Sequence, residues 1–334
     1  MRSCKQILHE SKQFSREDRS RSWFELLITL VPAAIIFALS FQDFPFVVKL
    51  LGGFLCGLLY VRLFVIYHDY EHRAILQNTW MARLIMVPLG IYLLAPENIW
   101  RRSHEHHHNH NSKLTLSGIG SYPTVSKAFF LKLPVHKRRL YLINRHPATI
   151  LLGYFTLFIY WLNLKSFVQS PRKHLDSLVA LVFHFGVGAT ILIYFGVTTL
   201  LVGWMLPFFV AFSLGSYLFY VQHNFPEAQF CENDNWAYDR AAIKSTCRMV
   251  MNPVMHWFTG NIGYHHVHHL NSRIPFYRLR EATAQLPELA NVPTSSLSPI
   301  DMIKCLRLSL WDGDAGRMIT MKEFRKSLVK VSAG

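Results

Sequence analysis

Three short stretches of the chain concentrate side chains that bind metals. The first is His68-Asp69-Tyr70-Glu71-His72. On a helix, positions four apart share a face, so His68 and His72 can grip one ion. The second runs His104-Glu105-His106-His107-His108-Asn109-His110, and the third is His265-His266-Val267-His268-His269. Both contain H-x-x-H-H, which presents three imidazoles along one helical stripe. Imidazole suits iron, zinc and copper, whereas sites poor in carboxylate are poor hosts for magnesium or calcium. Two rings plus three plus three exceed the roughly six positions around one ion, so the pattern predicts two metals close together. Dioxygen activation at non-heme iron exploits that arrangement. The second cluster admits another register, because His106 and His110 are also four apart. The frame His104, His107, His108 is preferred because it reproduces H-x-x-H-H.

The elements that must carry these clusters are apolar. Hydrophobic residues make up 51% of 334 positions and charged residues 16%, against about 25% charged in a soluble domain. Blocks at 26–42, 46–66 and 178–221 match the roughly 20 residues a helix needs to cross a bilayer. The chain therefore reads as an integral membrane protein. The first block follows 22 polar residues without a cleavage site, so it reads as a retained span and not a signal peptide. The five cysteines form no C-x-x-C pair, which indicates neither a disulfide framework nor a zinc ribbon.

The net charge of +15 sits in segments flanking the apolar blocks. It predicts positive loops on the cytoplasmic face, not a nucleic-acid surface. Residues 1–22 hold six Lys/Arg, and 101–145 hold nine with one acid, Glu105; both belong inside. The first two blocks then form one hairpin, and 178–221 a second, turned near Gly203 and Pro207. The block 148–164 has basic clusters on both flanks and reads as re-entrant or interfacial, and 80–95 as an interfacial helix. Further helices are expected around 300–311 and 320–330. His184 should face the bundle with a neighbouring hydroxyl as partner, and Trp161, Trp204 and Trp257 should anchor at the interface.

The order H-x-x-x-H, H-x-x-H-H, H-x-x-H-H around membrane hairpins resembles the membrane fatty acid desaturase superfamily. Two strings sharpen the likeness to bacterial acyl-lipid desaturases: Phe219-Tyr220-Val221-Gln222-His223-Asn224-Phe225, and the run from Gly260 to Leu270. The resemblance implies a di-iron centre ligated by His68, His72, His104, His107, His108, His265, His268 and His269, with His223 as a ninth ligand. Asp69, Glu71 and Glu105 are candidates to orient those rings. The fold it implies is all-α: four transmembrane helices in two hairpins, interfacial helices and a cytoplasmic di-iron cap. Residues 1–22 would be a basic N-terminal segment, 23–276 the membrane domain and 277–334 a cytoplasmic tail, in a protein of the bacterial inner membrane with both termini inside.

The activity so implied belongs to lipid metabolism: O2-dependent insertion of a cis double bond into a lipid-linked acyl chain, with electrons from ferredoxin or a cytochrome b5-like partner. Two rivals stand beside it. A hydroxylase or ketolase acting on alkane, sterol, sphingolipid or carotenoid would use the same histidines. A metal transporter would need ionisable groups at mid-membrane, where the spans offer essentially His184 alone.

Overall fold

The computed structural model describes residues 2–114, 120–231 and 236–332, and most of them are helical. Three helical stretches are long and apolar enough to cross a membrane: α1 (Arg19–Leu39), α2 (Phe46–Glu71) and Leu175–Val221. Two shorter helices, α3 (Trp80–Tyr92) and α4 (Glu97–His110), meet at an 85° bend; taken together they would count as a fourth. Asp18 begins α1 by accepting the Arg21 N–H at 3.0 Å. Pro45 and Pro96 stand just before α2 and α4, where an absent N–H costs nothing.

α2 is the central helix. Its apolar window is 61% buried, against 28% for α1 and for Leu175–Val221, because α1 packs on one side and the end of the long stretch on the other. Glycine permits the closest approach. A Cβ at Gly53 would lie 2.1 Å from the Val202 carbonyl oxygen, and one at Gly57 2.7 Å from Val210 Cβ. Small residues one turn apart let two backbones meet in this way.

The long stretch divides into α5 (Leu175–Thr199), a π-wound turn over Leu200–Met205 and α6 (Leu206–Val221). It reverses at Gly196, whose φ of 80° and ψ of 172° break the helix. A side chain is strained at that φ, and glycine is not. The His184 ring accordingly packs on Trp204 and Phe208, with centroids at 5.1 and 4.8 Å. The turn is thus at Gly196, not near Gly203 and Pro207. Pro207 opens α6, where proline is compatible with a helix, and Gly203 packs against Ser40. Trp204, expected at the interface, is buried at 2% exposure inside the bundle. His184 does find a hydroxyl, Tyr154 OH, at 2.5 Å.

The segment 147–170 begins beside the end of α6, where Ile150 shares a core with Tyr217 and Val221. It reaches His184 at Tyr154 and returns through Ser166–Gln169 to the start of α5. Both of its ends lie at the same end of the α5–α6 hairpin.

Two small sheets depart from an all-α fold. Arg248–Val250 pairs in parallel with Thr294–Ser296, and Leu308–Asp312 pairs antiparallel with Arg317–Thr320. The helix expected over 300–311 stops at Leu306. Beyond it, Asp312 Oδ1 accepts the Asp314 N–H at 3.2 Å and Gly316 takes a φ of 61°, which closes a hairpin. A final helix, Met321–Ser332, follows. The terminal segments are packed against the body of the chain. Arg2 pairs with Glu288 at 2.6 Å, Asn271 Nδ2 donates to Ser11 and Ser15 hydroxyls at 3.0 Å, and Trp311 N–H donates to the Val125 carbonyl at 3.0 Å.

Candidate metal centre

The last turn of α2 carries His68, and its C-cap is His72. α4 carries the second cluster, α6 ends just before His223, and a short helix α7 (His265–Leu270) carries the third. These ends converge. His68, His72, His104, His108 and His268 offer nitrogens that all lie within 4.8 Å of one another; His107, His223, His265 and His269 form a second such group. α4 therefore serves both: His104 and His108, one turn apart, face the first group, and His107 faces the second.

Nitrogen spacing tests whether a metal fits. Nε2 of His68 lies 2.8 Å from Nε2 of His104, His104 lies 3.2 Å from His108, and His108 lies 3.0 Å from His268. In the other group, His107 is 3.1 Å from His223 and 3.2 Å from His269, while His223 is 2.9 Å from His265. Ligand nitrogens about 2.0–2.1 Å from an ion and 90–109° apart would be separated by roughly 2.8–3.4 Å. The donor set fits. Burial also keeps the rings neutral: it pushes His223 down to about 3, and it holds His72, His265, His268 and His269 well below the ordinary 6.5. Their lone pairs are thus free at neutral pH.

Of the three candidate carboxylates, Asp69 alone reaches a ring among the described residues. Its Oδ1 accepts from His68 Nδ1 at 3.1 Å and its Oδ2 from the Phe276 N–H at 2.6 Å. That bond fixes the His68 tautomer and bares Nε2. Glu71 instead accepts from Arg101 Nε at 3.2 Å, tying α2 to α4, and Glu105 is exposed. His106 and His110 stack on each other at 4.0 Å, outside both groups. His266, inside the third cluster, faces the Leu289 carbonyl at 2.9 Å.

Sequence reasoning did not single out Trp100, Arg62 or Phe276. The Trp100 ring lies parallel to His104, centroids 4.9 Å apart. Buried Arg62 pairs with Glu25, donates to the Trp257 carbonyl and lies over the Trp257 ring at 4.2 Å, joining α1, α2 and the segment leading to α7. An arginine inside an apolar block is a sequence signal for such a role.

A groove of about 550 Å³ opens beside the histidines, and His68, His104 and His265 border it. The volume suits a small organic ligand. Its apolar part is walled by Phe64, Phe158 and Phe212, the last two stacked at 3.7 Å. Gly215 also borders the groove, and a Cβ there would meet nothing within 4 Å.

An apolar helical bundle that gathers two histidine-only, ion-sized clusters beside an apolar groove is the class this fold and site define. The profile of the Fatty acid desaturase family matches residues 44–296. A "Fatty acid desaturase" of Bacillus subtilis (strain 168) is 26% identical over 324 residues, covering 96% of this chain and 92% of that protein. An "sn-1 oleoyl-lipid 12-desaturase" of Synechocystis is 26% identical over 283 residues, 83% of this chain and 79% of that one. An "Omega-6 fatty acid desaturase, chloroplastic" of Glycine max is 24% identical over 280 residues, 83% and 65%. The chain belongs to the fatty acid desaturase family and is an integral membrane oxidoreductase acting on fatty acyl chains.

Proposed function

We propose that this enzyme inserts a cis double bond into a lipid-linked acyl chain at a di-iron centre. One iron is held by His68, His72, His104, His108 and His268, and the other by His107, His223, His265 and His269. The observation that carries this reading is the pair of nitrogen groups opening on one apolar groove. When bound, the irons supply O2 activation strong enough to break an unactivated methylene C–H bond, which offers no acid-base handle. The balance is two C–H hydrogens, two electrons, two protons and O2 in; a double bond and two waters out.

The protein's own part is positioning. Asp69 orients His68, and the Trp100 ring backs His104. Phe64, Phe158 and Phe212 keep the acyl methylenes dry and aligned. α1 with α2, and α5 with α6, form four spans in two hairpins, and 147–170 dips in and returns. The histidine-bearing ends share the side of the basic segments 1–22 and 101–145, which is cytoplasmic. A ferredoxin or cytochrome b5-like donor docks on that basic face, and the membrane is a bacterial inner membrane.

Expression in a host with a simple lipid profile tests this. Fatty acids lighter by two hydrogens, with about two irons per purified chain, are expected. A gain of one oxygen would turn the assignment to hydroxylation, and an iron-free active protein would end it.

A further inference from the structure

One end of the groove is polar and basic, unlike the rest. Arg102, Lys165 and His174 line it together with Ser166, Gln169 and Ser170. His174 is only 6% exposed, and its Nδ1 is buried with no partner among the described residues. A buried ring nitrogen without a partner is costly unless something else meets it. Arg102 differs from its neighbour Arg101, which is engaged by Glu71 and Glu97; no ion pair with the described residues engages Arg102 or Lys165. Lys165 Nζ sits 3.4 Å over the Trp161 ring, fixed in place by a cation–π contact. The nearby acid, Asp176, accepts the backbone N–H groups of Asn98 and Ser177, both at 3.0 Å. Arg172 and Lys173 add exposed positive charge next to His174.

From this we infer that the polar end binds the phosphate of a glycerophospholipid whose acyl chain fills the apolar groove. The inference rests on the desaturase reading above and names its acyl carrier. Charge complementarity selects an anion, and guanidinium, ammonium and imidazole together supply donors for phosphate oxygens. The surroundings select a lipid. Leu164, Val168 and Leu175, interleaved with the polar residues, are 43%, 67% and 60% exposed, which places this end at the level of headgroups.

The test is native mass spectrometry of the iron-loaded full chain offered dioleoylphosphatidylglycerol, a galactosyl diacylglycerol with the same chains, or oleoyl-CoA. Wild-type protein should retain the phosphatidylglycerol ~10-fold or more over the galactolipid, as expected for charge-assisted contacts. R102Q/K165Q should lose that preference with iron content unchanged, and the charge-keeping R102K/K165R should hold it. Equal retention of the galactolipid, undiminished phosphatidylglycerol on R102Q/K165Q, or displacement of phosphatidylglycerol by equimolar oleoyl-CoA would each overturn the assignment. Desaturated product accompanying any of these results leaves the desaturase reading standing. Absence of product with every carrier, in a parallel incubation supplied with O2 and reduced ferredoxin as electron donor, overturns both.

Discussion

In the five-ring group His68 is held by Asp69, which is itself held by the Phe276 backbone, whereas among the described residues no carboxylate reaches a ring of the four-ring group. Both groups have an aromatic neighbour: Trp100 stacks on His104 with centroids at 4.9 Å, and Phe219 lies tilted against His107 at 5.0 Å. The four-ring group borders the groove through His265, and a smaller pocket through His107 and His223. Neighbours that orient a ligand raise its basicity and fix its geometry. One ion site thus has a carboxylate that orients one of its rings, while the other has no such support among the described residues, and rings of both border the groove.

The largest expected effect erases the contrast. His268→Ala in the five-ring group and His269→Ala in the four-ring group should each lower product formation beyond the roughly 100-fold typical of losing a supporting neighbour. Helical content and membrane insertion should persist, checked by circular dichroism and extraction. Wild-type turnover by either variant would remove the ligand assignment.

Asp69→Asn probes the contrast directly. The amide can still accept the Phe276 N–H but no longer accepts well from His68, so metal retention or rate should fall about 10–100-fold. Mössbauer spectra should show one iron perturbed first. Equal loss of both would mean that the two groups are not held differently.

Gly215→Leu leaves both groups untouched and narrows the groove instead. Turnover of long acyl chains should drop several-fold relative to shorter ones at constant iron content; an unchanged product profile would exclude the groove as the acyl site. Glu71→Gln should cost about 1.5–3 kcal/mol of stability, because the buried carboxylate loses its charge-assisted bonds to Arg101, and Glu105→Ala less than about 0.5 kcal/mol. Thermal melts measure both. A large loss of iron in either variant would give these carboxylates a role the geometry denies them.

How far the site is legible in sequence depends on whether its geometry is local. H-x-x-H-H on one helix fixes three rings relative to each other, so the clusters can be named from spacing, whereas His223 is implied only by the resemblance carried by the 219–225 string. How α4 divides its rings between the groups depends on where α7 and α6 arrive, which spacing does not encode. Asp69 and Glu105 look alike in sequence; burial and the Phe276 N–H separate them. Gly203 and Pro207 carry the usual breaker signals and draw the α5–α6 turn to themselves in sequence, yet proline fits the first turn of α6 and the glycine serves close packing. The strand at 308–312 was hidden for a related reason. A short apolar run suits helix or strand alike, and Asp312 and Gly316 decide it through the turn.

The five-ring group draws rings from near residue 70, from the hundreds and from residue 268, the four-ring group from residue 107 and from beyond residue 220, and α7 is braced by Ser11 and Ser15 through Asn271. No partial translation product can therefore contain a finished site. A metal ion can meet the complete set of rings only after the ribosome has passed α7. On the di-iron reading, loading is therefore a step that follows synthesis of the whole membrane region.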